Sequence, residues 1–113
     1  NVFLLEKYPK VRLINDFEEI FYIKDTYIFS EKKDIKVSFV PIDKENKISL
    51  KGFKFDLSEK LVKRGDSLTL SNTITESIAV AEIHSGSFIA VVQRIKEISV
   101  WLIKLDNKVS KIL

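Results

Sequence analysis

The chain of 113 residues contains no cysteine, which excludes disulfides, thiolate metal sites and cysteine nucleophiles while leaving its compartment open. Methionine is absent too, and the wealth of Lys, Ile and Glu that accompanies this suits an AT-rich or thermophilic source. His84 is the only histidine, so a His-pair metal site is excluded. Proline is confined to positions 9 and 41 and glycine to 52, 65 and 86; no Gly/Pro linker divides the chain, and a single domain over 1–113 is expected. Long apolar runs are missing as well. The longest weakly charged stretch, 69–81, carries Ser, Thr and Asn throughout and is unfit to span a bilayer, and the apolar run 2–5 is too short for a signal peptide. No glycine-rich phosphate loop occurs, and the acidic turn 43–46 lacks the glycine and closing Glu of a calcium loop.

What is present is an ordinary globular balance, 45% hydrophobic and 31% charged, in a length that suits one packed core. The net charge of +3 is spread along the chain, with Lys32 and Lys33 between Glu31 and Asp34, and Lys44 between Asp43 and Glu45. Interleaved charge of this kind reads as a solvated surface. Candidate strands fall at 11–15, 19–24, 26–30, 35–42, 48–56, 68–71, 77–83, 87–93, 98–105 and 109–113, with turn signals every 8 to 12 residues, the pattern of an all-β sandwich, barrel or repeated sheet.

A nine-residue pattern that opens on Ile and closes on Asp recurs at 35–43, 48–56 and 98–106, and each copy reads as strand, Asp turn, strand. The halves of the chain also align with each other, about 11–57 against 68–113, which implies two four-stranded antiparallel repeat units. The succession Ser77-Ile-Ala-Val-Ala, Ser85-Gly-Ser-Phe-Ile-Ala-Val-Val, Ile98-Ser-Val-Trp-Leu and Leu105-Asp106-Asn107 resembles a β-propeller blade, and 52–62 looks like the exit of a preceding one. That resemblance implies a β-repeat fold whose open edges need cover from a partner or a second copy. The chain opens on Asn, and it is expected to be a processed product or a fragment of a larger β-repeat protein. A competing pattern runs through Ile95, Ile98, Leu102, Leu105, Val109 and Ile112, whose spacings of three and four fit an amphipathic helix. A seven-stranded β-domain closed by that helix would resemble the pleckstrin-homology-like fold.

Side chains for chemistry are sparse. His84-Ser85-Gly86-Ser87 reads as a turn, and the carboxylate pairs Glu18-Glu19, Asp43 with Glu45, and Asp56 with Glu59 read as solvated turn residues. Phe39, Phe55 and Phe88 are expected in the core. Trp101, with Arg94 and Lys104 beside it, is the candidate interaction site, because Trp concentrates binding energy at interfaces. The reading is therefore a non-enzymatic interaction or assembly module that engages a protein or a second copy, with no catalytic residue, metal, cofactor or small-molecule ligand. The pleckstrin-homology-like alternative implies an anionic headgroup or peptide at Lys32, Lys33, Lys44 and Lys47, and a third alternative is nucleic-acid binding through stacked aromatics.

Overall fold

A computed structural model describes residue 7 and residues 11–94. Among the described residues nine strands follow one another: β1 (Arg12–Ile14), β2 (Glu18–Ile23), β3 (Thr26–Ser30), β4 (Lys36–Pro41), β5 (Glu45–Lys51), β6 (Leu57–Lys63), β7 (Asn72–Thr73), β8 (Ile78–Ser85) and β9 (Phe88–Gln93). They form two antiparallel sheets, one ordered β1-β2-β9-β4-β7 and the other β3-β8-β5-β6. The all-β expectation is met.

Period-two alternation explains why these stretches become strands. In β4, Val37, Phe39 and Pro41 are buried while Lys36 and Val40 face out; in β8, Ala79, Ala81 and Ile83 turn inward between more exposed neighbours. The inward residues of both sheets make one core, which includes Phe21 and Ile23 of β2, Phe29 of β3, Ile48 and Leu50 of β5, Val62 of β6 and Phe88 of β9. At its centre the rings of Phe29, Phe39 and Phe53 meet edge to face, with centroids 5.7 to 6.1 Å apart. The small side chains of Ala79, Ala81 and Ala90 belong to the same cluster and leave room for those rings. Phe39 and Phe88 are core as expected, but Phe55 is 60% exposed, because it lies in the β5–β6 connection rather than on a strand.

The repeat reading is corrected by the topology. Asp43 ends a connection that crosses from the five-stranded sheet (β4) to the four-stranded one (β5), whereas Asp56 sits in a hairpin within the four-stranded sheet, its carboxylate accepting from the Phe53 amide at 2.8 Å. The same nine-residue pattern therefore serves two different geometries, and its third copy lies outside the described residues. A propeller blade is one sheet of consecutive strands. Here β2 pairs with β9 and β3 with β8, so strands of one half bond strands of the other and each half is split between both sheets. The pleckstrin-homology-like alternative counted seven strands against the nine found, and its helix at 95–112 lies outside the described residues, as does the strand expected at 98–105.

At one rim, Arg12 pairs with Phe21 across β1 and β2 and caps the core. Its guanidinium lies 4.1 Å from the Phe21 ring centroid, donates to the Tyr27 hydroxyl at 2.9 Å and pairs with Glu19 at 2.5 Å. Burial lowers its pKa, but the hydrogen bonds to Tyr27 and Glu19 raise it by more, so the group keeps its charge. Arg12→Ala is expected to cost about 1 kcal/mol in urea unfolding, most of it from the cation–ring contact, since solvent screens the half-exposed ion pair.

Candidate binding groove

The outward face of the five-stranded sheet carries a groove of ≈ 300 Å³, open to solvent and lined by Phe17, Glu18, Lys36, Ser38, Ser71, Val91 and Gln93. Register explains the gathering. Glu18 lies opposite Gln93 across β2 and β9, and Val91 lies opposite Ser38 across β9 and β4; Lys36 is two residues before Ser38 on the same strand and face. The inward neighbours Val37, Phe39, Ala90 and Val92 are committed to the core, which fixes these side chains outward.

Each rim is held by hydrogen bonds to the backbone, several of them between residues far apart in sequence. On the first, the Asn15 side chain accepts from the amides of Phe17 and Glu18, both at 2.8 Å, a turn that Asn forms readily. The Arg94 amide donates to the Phe17 carbonyl at 2.7 Å, and the Arg94 guanidinium donates to the Asn15 carbonyl at 2.7 Å. Phe17 is thereby set at the groove mouth with its ring 59% exposed.

The second rim is the segment leading into β7. Buried Thr69 donates its hydroxyl to the Phe39 carbonyl at 2.5 Å and accepts the Phe39 amide on its own carbonyl at 2.9 Å. Ser71 follows in the left-handed region, φ 55°, and its amide donates to Ser38 Oγ at 2.8 Å. Asn72, 3% exposed, accepts from the amides of Phe55 and Thr73 and donates to the Phe55 carbonyl. These contacts hold Ser71 in a conformation that a serine seldom adopts. Among the described residues, no hydrogen bond involves the Ser71 hydroxyl, and neither Glu18 nor Lys36 has an ion-pair partner.

Of the candidate residues read from the sequence, Arg94 lies at the first rim, while Trp101 and Lys104 lie outside the described residues. His84 belongs to β8 rather than to a turn, on the outer face of the other sheet. Its Nε2 meets Ser49 Oγ at 2.7 Å and its Nδ1 lies 3.9 Å from Glu82, beyond hydrogen-bond reach. Ser49 Oγ also accepts the Glu59 amide at 2.8 Å beside an irregularity in the β5–β6 pairing, so it serves the strand pairing rather than a reaction. Lys32 and Lys33 lie before β4, Lys44 lies after it and Lys47 lies on β5, so the length of β4 separates the first two from the others along the chain. The groove residues went unnoticed in the sequence because they come from four separate segments. One signal was available: the consecutive polar residues Ser71, Asn72 and Thr73 within the weakly charged stretch 69–81.

Among the described residues no helix is long and apolar enough to cross a membrane, and no three His, Asp or Glu side chains group as metal ligands. The family model for the vitamin B1 binding domain of thiamin pyrophosphokinase matches residues 26–89, more than half of the chain. Among solved structures, thiamin pyrophosphokinase from Bacillus subtilis matches with a TM-score of 0.75 and 25% identity, over 82% of this chain and 47% of that one. The enzyme from Geobacillus thermodenitrificans matches at 0.72 and 23%, over 84% and 46%, and that from Candida albicans at 0.65 and 18%, over 82% and 36%. The chain thus spans about half or less of the solved structures it resembles. No curated protein sequence matches it. These findings overturn the propeller resemblance and the non-enzymatic assembly role, and they count against the expectation of no small-molecule ligand, since the family is defined by a vitamin and its relatives are enzymes.

Proposed function

We propose, since the chain belongs to the thiamin pyrophosphokinase vitamin B1 binding domain family, that it binds thiamin in the groove on the five-stranded sheet. One observation carries this reading: Lys36, Ser38 and Ser71 of the groove come from the stretch that the family model matches, and the groove they form joins an exposed aromatic ring to a carboxylate, hydroxyls and an amide. Thiamin is a flat aminopyrimidine joined to a cationic thiazolium with a hydroxyethyl tail. Phe17 offers a stacking face, Glu18 a countercharge, and Ser38, Ser71 and Gln93 offer hydrogen bonds. Arg94 acts through Phe17, whose carbonyl it holds. Pyrophosphoryl transfer belongs, on this reading, to a whole enzyme in which such a chain supplies the vitamin-binding part.

Titration with thiamin, followed by amide chemical shifts, is expected to move Ser38, Ser71, Val91 and Gln93 and to leave the four-stranded sheet still. Phe17→Ala should weaken binding about tenfold through the lost stacking face. Shifts confined to the outer face of the four-stranded sheet, or no saturable change, would refute the assignment.

A further inference from the structure

We infer that the groove is polarised along a single row of side chains, so that it holds phosphate esters of thiamin more tightly than thiamin itself; this rests on the reading of the groove as the thiamin site. The row runs across three adjacent strands. Glu18 on β2 lies opposite Gln93 on β9, and Lys36 on β4 flanks Gln93 on the other side, one residue before the Val37 and Val92 pair. With strands about 4.8 Å apart, the Cα atoms that carry the carboxylate and the ammonium lie about 10 Å from each other, on opposite sides of an uncharged amide. Among the described residues no ion pair joins the two charges, and at a charge separation of about 10 Å in water their attraction would be only about 0.4 kcal/mol.

Two further charges near the row, Glu19 and Arg94, are engaged elsewhere. Glu19 turns to the inner face and pairs with Arg12, and the Arg94 guanidinium donates to the Asn15 carbonyl. The acidic end also carries the Phe17 ring, which suits a flat cation; the basic end carries the hydroxyls of Ser38 and Ser71, which suit an oxyanion. A thiazolium seated at Phe17 and Glu18 therefore directs its hydroxyethyl tail toward Lys36 and Ser71. A phosphate on that tail meets a cation and hydroxyl donors, whereas the free alcohol meets only the donors.

The test is amide-shift titration of the 113-residue chain with thiamin, thiamin monophosphate and inorganic phosphate at low and high salt. At low salt the monophosphate is expected to bind about fivefold more tightly than thiamin, the advantage of one exposed ion pair, and salt should shrink that ratio. Lys36→Gln should cut the ratio to below about twofold, whereas Glu18→Gln should weaken both ligands by similar factors and preserve it. Urea midpoints close to the parent's would verify that both variants are folded. A parent ratio near one, a ratio unchanged by Lys36→Gln, or inorganic phosphate binding as tightly as the ester would each overturn the inference while leaving thiamin binding intact. Failure of both thiamin and its ester to bind would remove the thiamin reading and this inference with it.

Discussion

Phe39→Ala is expected to lower the unfolding free energy by about 4 kcal/mol, read as a shift of the urea midpoint at constant slope. Phe39 has no exposed surface, and its ring meets Phe29 and Phe53 edge to face, at 6.1 and 5.7 Å between centroids. Removing it deletes transfer energy and leaves a void that the rigid walls of two sheets fill poorly. Its backbone matters to the groove as well. The Phe39 amide and carbonyl are the partners of Thr69, which positions Ser71. Loosening of this strand should therefore weaken ligand binding in any variant that remains folded. Phe55→Ala serves as the control, because the residue is 60% exposed and its ring lies 5.5 Å from the Lys54 ammonium at the surface. It should change stability by less than about 1 kcal/mol, and a loss equal to that of Phe39→Ala would refute this account of the core.

Asn46→Ala should cost about 3 kcal/mol, with faster hydrogen exchange at the Ser87 amide. Asn46 is fully buried, and its Nδ2 donates to the carbonyls of Asp43 at 2.9 Å and Val62 at 3.0 Å. Its Oδ1 accepts from the amides of Ser87 at 3.0 Å and Asp43 at 3.3 Å. One side chain thus satisfies backbone groups of the β4–β5 crossing, of β6 and of the β8–β9 corner. Truncation strands all of them without water. Gly86 belongs to the same arrangement, since its φ of 74° is left-handed and a Cβ there would overlap Asn46 Oδ1. Gly86→Ala should reproduce much of the Asn46 loss, and adding it to Asn46→Ala should cost less than the sum of the two single effects. Full additivity would mean that the corner and the amide act independently.

Strand existence was legible where alternation was strong. The expected 26–30 coincides with β3, and β2, β4, β8 and β9 were found within a residue or two of their bounds. β6 was missed because five of its seven residues, including Ser58, Glu59, Lys60 and Leu61, are exposed, so an edge strand imitates a polar turn. The stretch 68–71 was read as a strand from its alternating Leu and Thr, yet it is a turn held to β4 through Thr69 and Ser71. Hydrogen bonds to a distant strand overrode the local pattern there. The repeats misled for a related reason. Asp at the end of an apolar run signals a turn, but nothing in that dipeptide tells whether the chain returns in its own sheet or crosses to the other. The groove was less legible still. Phe17 and Glu18 looked like solvated residues before a strand, and only their pairing across β9 to β4 brings them within reach of Lys36 and Ser71.

The pairing of β2 with β9 and of β3 with β8 also governs when the molecule can form. β9 lies between β2 and β4, and β8 between β3 and β5, so the last described strands occupy the interior of both sheets. During synthesis, β1 to β7 emerge with the middle of each sheet still missing, and no subset of them closes the core. Folding must wait for 78–93 and then close long loops at once, which places such a chain among slow, millisecond-to-second folders. Until that moment the early strands carry open edges, which are prone to aggregation. A termination before Phe88 would release a chain with nothing to join β2 to β4, and so without the sheet face on which the groove is built.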